Sequence, residues 1–225
     1  MPETLVAVIP AFNCVATIGR VVAGTLRHVA AVVVVDDGST DGTGEAAAAA
    51  GAAVARLNEN QGKGVALVHG IEQALLRDPA AVVLLDGDGQ HDPADVPRLV
   101  QAWRDSGADL VVGSRMAEPE SIPRARYWTN RIGSRILSWM TGYDLEDSQS
   151  GFRLLTAELL RRMPLRAPGY AIESEMLIKA AHRRARLEQA PIRTIYEGGR
   201  SHYRPLTDTV GIVLWAIYFQ VWDEA

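Results

Sequence analysis

Cysteine occurs once in this chain, as Cys14, which excludes a disulfide framework within it and a cysteine-based zinc cluster, and fits a reducing compartment. Basic residues are not in excess. Lys and Arg number 23 against 27 Asp and Glu, a net charge of −4, so nothing draws the whole molecule to nucleic acid or an anionic bilayer, and any phosphate recognition must be local. Long apolar runs are also missing: the longest candidate, Val210 to Trp222, has 13 residues, whereas a helical span needs about 20. Met1-Pro2-Glu3-Thr4 lacks the basic and apolar regions of a secretion signal. The expected location is therefore the cytoplasm. A G-x-x-x-x-G-K-[ST] phosphate loop is absent, as is G-x-G-x-x-G after the first apolar run. What remains is 225 residues, 48% hydrophobic and 22% charged, the balance of one soluble domain with a sizeable core.

Valine-rich runs bounded by turn residues alternate with helix-like stretches through the first half. The pattern predicts strands at Leu5 to Ile9, Ala31 to Val35, Ala53 to Leu57, Ala81 to Leu85 and Asp109 to Val112. Helices are predicted between them at Val15 to His28, Asp41 to Ala50, Gly62 to Leu76 and Pro93 to Asp105. Such alternation predicts an α/β fold with a largely parallel sheet, whose ligands bind outside the carboxyl ends of the strands. In the second half, helices are expected at Arg124 to Met140 and Glu173 to Arg184, with strands at Gly151 to Leu155 and Leu187 to Ile195. These should build another wall of the same site.

Four stretches carry candidate chemistry. In Leu84-Leu85-Asp86-Gly87-Asp88-Gly89-Gln90-His91-Asp92-Pro93 two carboxylates leave a buried strand two residues apart. Asp86 and Asp88 can direct oxygen at a divalent cation, and Gly87 allows the close approach that a diphosphate requires. Taken alone, the stretch is better read as an acidic turn with a helix cap at Asp92, and only its context reverses that. Val33 to Thr43 is a second strand ending in carboxylates, where Asp37 can accept a nucleobase imino proton and Asp41 can cap the next helix. Pro10, Ala11 and Asn13 end the first strand in a rigid turn that can pack beside a base, and Lys63 stands between glycines at a helix start, suited to nucleotide contact.

The order VIPAFN, VVDDGSTDGT, NQGKGVAL, LLDGDGQHDP, VVGSR and SQSGFRLL resembles the family 2 glycosyltransferases of GT-A fold, a Rossmann-like arrangement with a mostly parallel central sheet flanked by helices. The fourth and last elements look most like those of the dolichyl- and polyprenyl-phosphate mannose and glucose synthases. The resemblance covers about residues 4 to 205. It implies a catalytic domain at 1–205, with a nucleotide-binding half at 1–118 and an acceptor half at 119–205. The implied activity is inverting transfer of a hexose from a nucleoside-diphosphate sugar, UDP- or GDP-linked, with Mg2+ or Mn2+, to a polyprenyl monophosphate at the cytoplasmic face of the membrane.

Residue by residue, the resemblance puts Pro10, Ala11, Asn13 and Asp37 around the base and ribose, and Asp86, Asp88 and Gln90 on the metal. Arg115 falls on a family arginine facing the phosphates, as suits a planar guanidinium at a strand end, with Arg126, Arg131, Arg200 and Arg204 as the surrounding cations. Asp147 and Gln149 should face sugar or acceptor. Glu173 and Glu175 match acidic positions at a helix start, of which one should point inward, since residues two apart do not share a helical face. For a hydroxyl acceptor, Asp147, Glu173 or Glu175 would be the base; a phosphate acceptor, with its second pKa about 6, needs none. The chain departs from the family at Gly198 to Pro205, where His202 replaces a frequent lysine and could lie over the diphosphate as a third metal ligand or a donor. Paired transmembrane helices of the kind that follow the catalytic domain in many membrane-bound relatives are not seen.

The apolar helix expected at 206–225, with Trp215, Tyr218, Phe219 and Trp222, must be covered by something. Its own catalytic domain, a homodimer mate or the membrane surface would serve. The rival readings of the whole are a family 2 glycosyltransferase acting on a soluble hydroxyl, a nucleotidyltransferase, and a non-catalytic nucleotide-sugar-binding protein.

Overall fold

The computed structural model describes residues 3–117, 120, 122–193 and 195. The chain runs β1 (Leu5–Ala11), α1 (Val15–Thr25), β2 (Ala31–Asp36), α2 (Thr43–Ala49), β3 (Ala53–Arg56), α3 (Lys63–Leu75) and β4 (Ala81–Leu84). After a 3-10 turn at Pro93–Asp95 come α4 (Val96–Ser106), β5 (Leu110–Ser114), α5 (Arg124–Thr141), β6 (Arg153–Thr156), α6 (Ala157–Arg161), α7 (Ala171–His182) and β7 (Leu187–Pro191). The 7 strands form one sheet in the order β3-β2-β1-β4-β6-β5-β7.

Why β1 lies inside the sheet, between β2 and β4, follows from its composition. All 7 residues of Leu-Val-Ala-Val-Ile-Pro-Ala are buried, as expected of a parallel strand covered on both faces. Side chains alternate across the sheet. Leu5, Ala7, Ile9 and Ala11 therefore pack with Ile18, Val21 and Val22 of α1 and Val96, Leu99 and Val100 of α4. Val6 and Val8 pack on the other face with Leu67 and Ile71 of α3 and Ile172 and Met176 of α7.

The expected strands and helices of the first half are present with small shifts at their ends, and Asp92 caps the 3-10 turn by accepting from Ala94 N at 2.9 Å. Asp41 does more than cap the helix after it. Its Oδ1 accepts from Thr43 N at 3.0 Å and its Oδ2 from Val15 N at 3.1 Å, so one carboxylate serves the first turns of both α1 and α2.

The departure from a parallel sheet is β6. It inserts between β4 and β5 and runs antiparallel to both, with Leu84 opposite Arg153 and Val112 opposite Arg153. Because β6 is reversed, its beginning lies beside the ends of β4 and β5. The loop from 147 to 152 thereby reaches the same edge as the Asp-x-Asp loop.

The start of α3 is held close to the 167–169 loop. A Cβ on Gly64 would stand 2.1 Å from the carbonyl oxygen of Ala167, whereas one on Gly142, at φ +77, would meet nothing within 4 Å. Gly64→Ala should therefore lose about 3 kcal/mol, the upper part of the range for overpacking, and Gly142→Ala about 1 kcal/mol, the left-handed backbone cost alone. Urea unfolding of both variants tests this; equal losses would show that α3 does not depend on the close approach.

Candidate active site

The carboxyl ends of β1, β2 and β4 open on a cleft of about 420 Å3, walled on the far side by residues of α5, of the 147–152 loop and of α7. At its floor lies Lys63, the first residue of α3. Its ammonium is 2.7 Å from Asp86 Oδ1 and 2.7 Å from Glu173 Oε1, and it sits 5.4 Å from the centre of the Tyr170 ring. Burial disfavours the ammonium's charge, but the two carboxylates outweigh it and hold its pKa above that of an ordinary lysine. Burial likewise acts to raise Asp86, and Lys63, followed by His91, reverses this and holds it well below the usual carboxylate range. The loop of β6 fits against the pair because residue 151 is glycine: a Cβ there would lie 2.9 Å from both Asp86 Oδ2 and Lys63 Nζ.

Asp88 differs from Asp86. Its Oδ1 accepts from Gln90 N at 3.0 Å, and no cation among the described residues pairs with it. Burial first, and the charge of Asp86 second, push its pKa up. Such a half-exposed carboxylate without a countercharge suits a divalent cation that is completed by diphosphate oxygens and water. Among the described residues no three His, Cys, Asp or Glu side chains converge as a metal cage. The one cysteine is inert, since burial pushes the Cys14 thiol up to about 12.

Behind the opposite wall is a buried polar layer. Arg115, at the end of β5, donates from Nε to Asp147 Oδ2 at 2.7 Å and from Nη2 to Asp147 Oδ1 at 2.9 Å. Asn130 Nδ2 also donates to Asp147 Oδ1, at 2.7 Å. Burial opposes ionisation of Asp147, yet Arg115 and then Asn130 hold its pKa below the ordinary range. Arg153 is fully buried and donates to three carbonyl oxygens, those of Ser150 (2.9 Å), Glu173 (2.7 Å) and Ser148 (2.8 Å). It thereby ties the 148–150 loop to the first turn of α7. Burial lowers its pKa to about 10 against the pull of Glu173 and Asp147, which leaves it charged at neutral pH.

The family model for glycosyl transferase family 2 matches residues 6–167. The chain belongs to this family. Over 205 residues it is 37% identical to an uncharacterised protein of Methanocaldococcus jannaschii, covering 86% of this chain and 82% of that protein. Over 202 residues it is 32% identical to the undecaprenyl-phosphate mannosyltransferase of Micrococcus luteus, covering 84% and 82%. Among solved structures it is similar to the glucosyl-3-phosphoglycerate synthase of Mycobacterium tuberculosis in complex with Mg2+ and uridine diphosphate. That likeness has a TM-score of 0.76 and 27% identity, over 97% of this chain and 79% of that one. The chain is thus a glycosyltransferase of the hexosyl-transferring kind with the GT-A fold.

Of the residues that the family resemblance singles out, Pro10, Ala11, Asp37, Lys63, Asp86, Gly87, Asp88, Gln90, Arg115, Arg126, Gln149 and Glu173 line the cleft. Asp37 does so with both oxygens engaged, accepting from Gln61 N at 2.7 Å and Gly62 N at 2.9 Å. Asn13 is not on the lining; its amide oxygen accepts from Thr40 N at 3.0 Å and joins the first two loops. Arg131 stands on the exposed side of α5, away from the phosphates it was expected to approach, because the helix turns Asn130 and Ser134 inward instead.

Asp147 does not face the acceptor. It is fully buried behind Arg115, so it orients that arginine and is no free base. Glu175 is likewise not in the cleft. It is buried against Lys179 at 2.8 Å and accepts from Arg166 N and Ala167 N, while Glu173, on the other side of α7, is the acid that points inward. Arg200, Arg204, His202 and the expected helix at 206–225 lie outside the described residues. Sequence reasoning missed Asn130, Tyr170 and the role of Arg153. Only Arg153 gave a signal, as an arginine inside an otherwise apolar strand.

Asp147→Asn removes the buried carboxylate that Arg115 and Asn130 both donate to and should destabilise the fold by about 3 kcal/mol at neutral pH. A carboxyl whose folded pKa is depressed contributes in full above its ordinary value of 3.8 and loses that contribution as pH falls through the lower folded value. The gap between parent and variant should therefore narrow below about pH 4. Urea midpoints measured from neutral to acid pH check this; a gap that is constant with pH would contradict the ion pair.

Proposed function

We propose that this glycosyltransferase moves a hexose, with inversion, from a nucleoside-diphosphate sugar to a polyprenyl monophosphate at the cytoplasmic face of the membrane. The observation that carries the reading is the division of charge in the cleft. The donor side presents Asp88 without a paired cation. The acceptor side presents Arg115 and Arg126, and two of the three acids proposed as bases, Asp147 and Glu175, are buried behind the wall. A site of this kind suits an acceptor that arrives ionised and must be held, in preference to one that must be deprotonated.

In this reading Pro10, Ala11 and Asp37 hold the nucleoside at the ends of β1 and β2. Asp88, with Asp86 and Gln90 beside it, would hold Mg2+ or Mn2+, which when bound supplies Lewis-acid neutralisation of charge on the departing diphosphate. Lys63 keeps Asp86 and Glu173 in place and adds positive charge beneath the diphosphate. Arg115, aimed by Asp147, and Arg126 receive the acceptor phosphate and set its oxygen toward the anomeric carbon, on the face opposite the leaving group. The undecaprenyl-phosphate mannosyltransferase among the relatives supports the lipid acceptor, and the Mg2+ and uridine diphosphate bound by the structural relative support the donor class. Among the described residues no helix is long and apolar enough to cross a membrane.

A second reading has one observation in its favour. Glu173 Oε2 is buried with no hydrogen-bond partner and its residue lines the cleft, so it could accept a proton from a hydroxyl acceptor. The structural relative is named for glucosyl-3-phosphoglycerate and not for a lipid-linked sugar. Incubation of the chain with UDP- or GDP-hexose and Mn2+, with a short-chain polyprenyl phosphate or a phosphorylated hydroxy acid, separates the two. Lipid-dependent release of nucleoside diphosphate supports the first reading; release only with the hydroxy acid replaces it by the second.

Asp88→Asn should lower turnover at least about 100-fold, the scale of losing a main electrostatic stabiliser, with thermal unfolding unchanged because the side chain fills no core. Near-parental activity with Mn2+ would remove Asp88 from the metal site. Asp37→Ala should raise the donor's KM by more than it lowers kcat, the mark of binding shared by ground and transition states. A defect in kcat alone would contradict the nucleoside assignment.

A further inference from the structure

Helix α5 has two unlike sides. Arg126 and Asn130 line the cleft, and Asn130, Ser134 and Leu137 are buried. On the other side Trp128, Ile132, Ile136 and Trp139 are 63%, 60%, 36% and 87% exposed. Arg124, Arg131 and Arg135 are exposed beside them. With about 100° of turn per residue, all seven fall within an arc of about 140°, the arginines together along one flank and the apolar side chains along the other. The two tryptophans stand about 16 Å apart along the axis. From Arg124 to Thr141 the helix contains no acidic residue, although the whole chain is net negative at −4.

An exposed stripe of this kind marks a contact surface. Its chemistry selects the partner. Tryptophan prefers the headgroup level of a bilayer, where an apolar body and a polar N–H are both satisfied. A row of arginines without acids is complementary to anionic lipid headgroups. A second copy of the chain fits less well, because a two-fold contact through this face would set arginine row against arginine row.

We propose that the outer face of α5 docks on an anionic lipid bilayer, with Trp128, Ile132, Ile136 and Trp139 entering the interface and Arg124, Arg131 and Arg135 on the headgroups. The proposal goes beyond the acceptor reading, since it concerns where the molecule sits and holds whether or not the acceptor is a lipid. It also differs in place from the surface expected at 206–225. Docked this way, the helix would lie along the membrane, with cleft residues Arg126 and Asn130 on its upper side.

The test uses the full chain and two vesicle preparations, phosphatidylcholine alone and phosphatidylcholine mixed with phosphatidylglycerol. The parent should co-sediment with the mixed vesicles far more than with the neutral ones, and less as salt is raised. The double variant Trp128→Ser/Trp139→Ser should weaken that binding at least about tenfold, and Arg131→Glu/Arg135→Glu at least about tenfold. Both variants should keep the parent's thermal unfolding and its thermal shift with UDP-sugar and Mn2+, as these side chains lie outside the cleft. Tryptophan emission of the parent should move to shorter wavelength with mixed vesicles, and that of the tryptophan variant should move less.

A parent that ignores both vesicles, or a tryptophan variant that binds as the parent does, overturns the proposal. So does an arginine variant with unchanged binding, because the lipid would then not be recognised by charge. If the parent is a dimer that the tryptophan variant dissociates, and neither binds vesicles, the face joins two copies and the proposal fails. Transfer to a short-chain polyprenyl phosphate in detergent-free solution is read separately, so loss of the membrane surface and loss of the acceptor assignment give different results.

Discussion

The shared ammonium of Lys63 connects what the chain order keeps apart. It begins α3, and its two partners end β4 and begin α7, so a single buried cation joins positions 63, 86 and 173. Two carboxylates this close would otherwise repel each other, and the cleft floor would open or protonate. With the ammonium between them the floor is compact, Gly151 can lie against it, and the β4 side and the α7 side of the cleft share one base. Removing the lysine would leave Glu173 and Asp86 facing each other without the cation between them, a larger penalty than the pair itself is worth.

The same arithmetic of charge sorts the other acids of the region. Asp147 has Arg115, Glu175 has Lys179, and Asp86 with Glu173 has Lys63. Asp88 and Asp37, which also line the cleft, have backbone N–H groups where these acids have a cation. In the proposed reading the acids that shape the wall are neutralised, and Asp88, where the diphosphate would arrive, is left without a cation. A diphosphate could not approach such a group without a cation of its own, so in that reading metal dependence would follow from the charge distribution of the cleft itself.

How much of this was readable in the sequence depends on the range of the interaction. The valine runs located β1, β2, β4 and β5 because burial on both faces demands continuous apolar residues. The Asp-x-Asp pair and the lysine between glycines were legible because local turns display them. The two-residue spacing of Glu173 and Glu175 indicated that one would turn away, though not that it would be held by Lys179. What could not be read were pairings across long separations. Nothing in the segment around Asp147 says that Arg115, 32 residues earlier, will take both its oxygens, and so a structural acid looked like a catalytic one. Arg131 was misjudged because the rotation of α5 is set by Asn130 and Ser134 meeting Asp147 and Ser148, contacts that periodicity alone does not reveal. The reversal of β6 was equally hidden, since an apolar run has no direction.

That reversed strand has a consequence for how the molecule can change. The excursion from β5 to β6 leaves and re-enters the sheet at neighbouring points, Val112 standing opposite Arg153. A connection whose ends are pinned side by side can grow or shrink at small entropic cost, roughly 0.6 kcal/mol for each doubling of length. The residues of α5 and of the 147–152 loop that line the cleft are carried on this one detour, whereas the positions proposed for nucleoside and diphosphate are carried at the ends of β1, β2 and β4. Variation in the detour can therefore explore new acceptors, new surfaces and new neighbours while the donor half stays as it is, and the fold behaves as a fixed socket with an exchangeable arm.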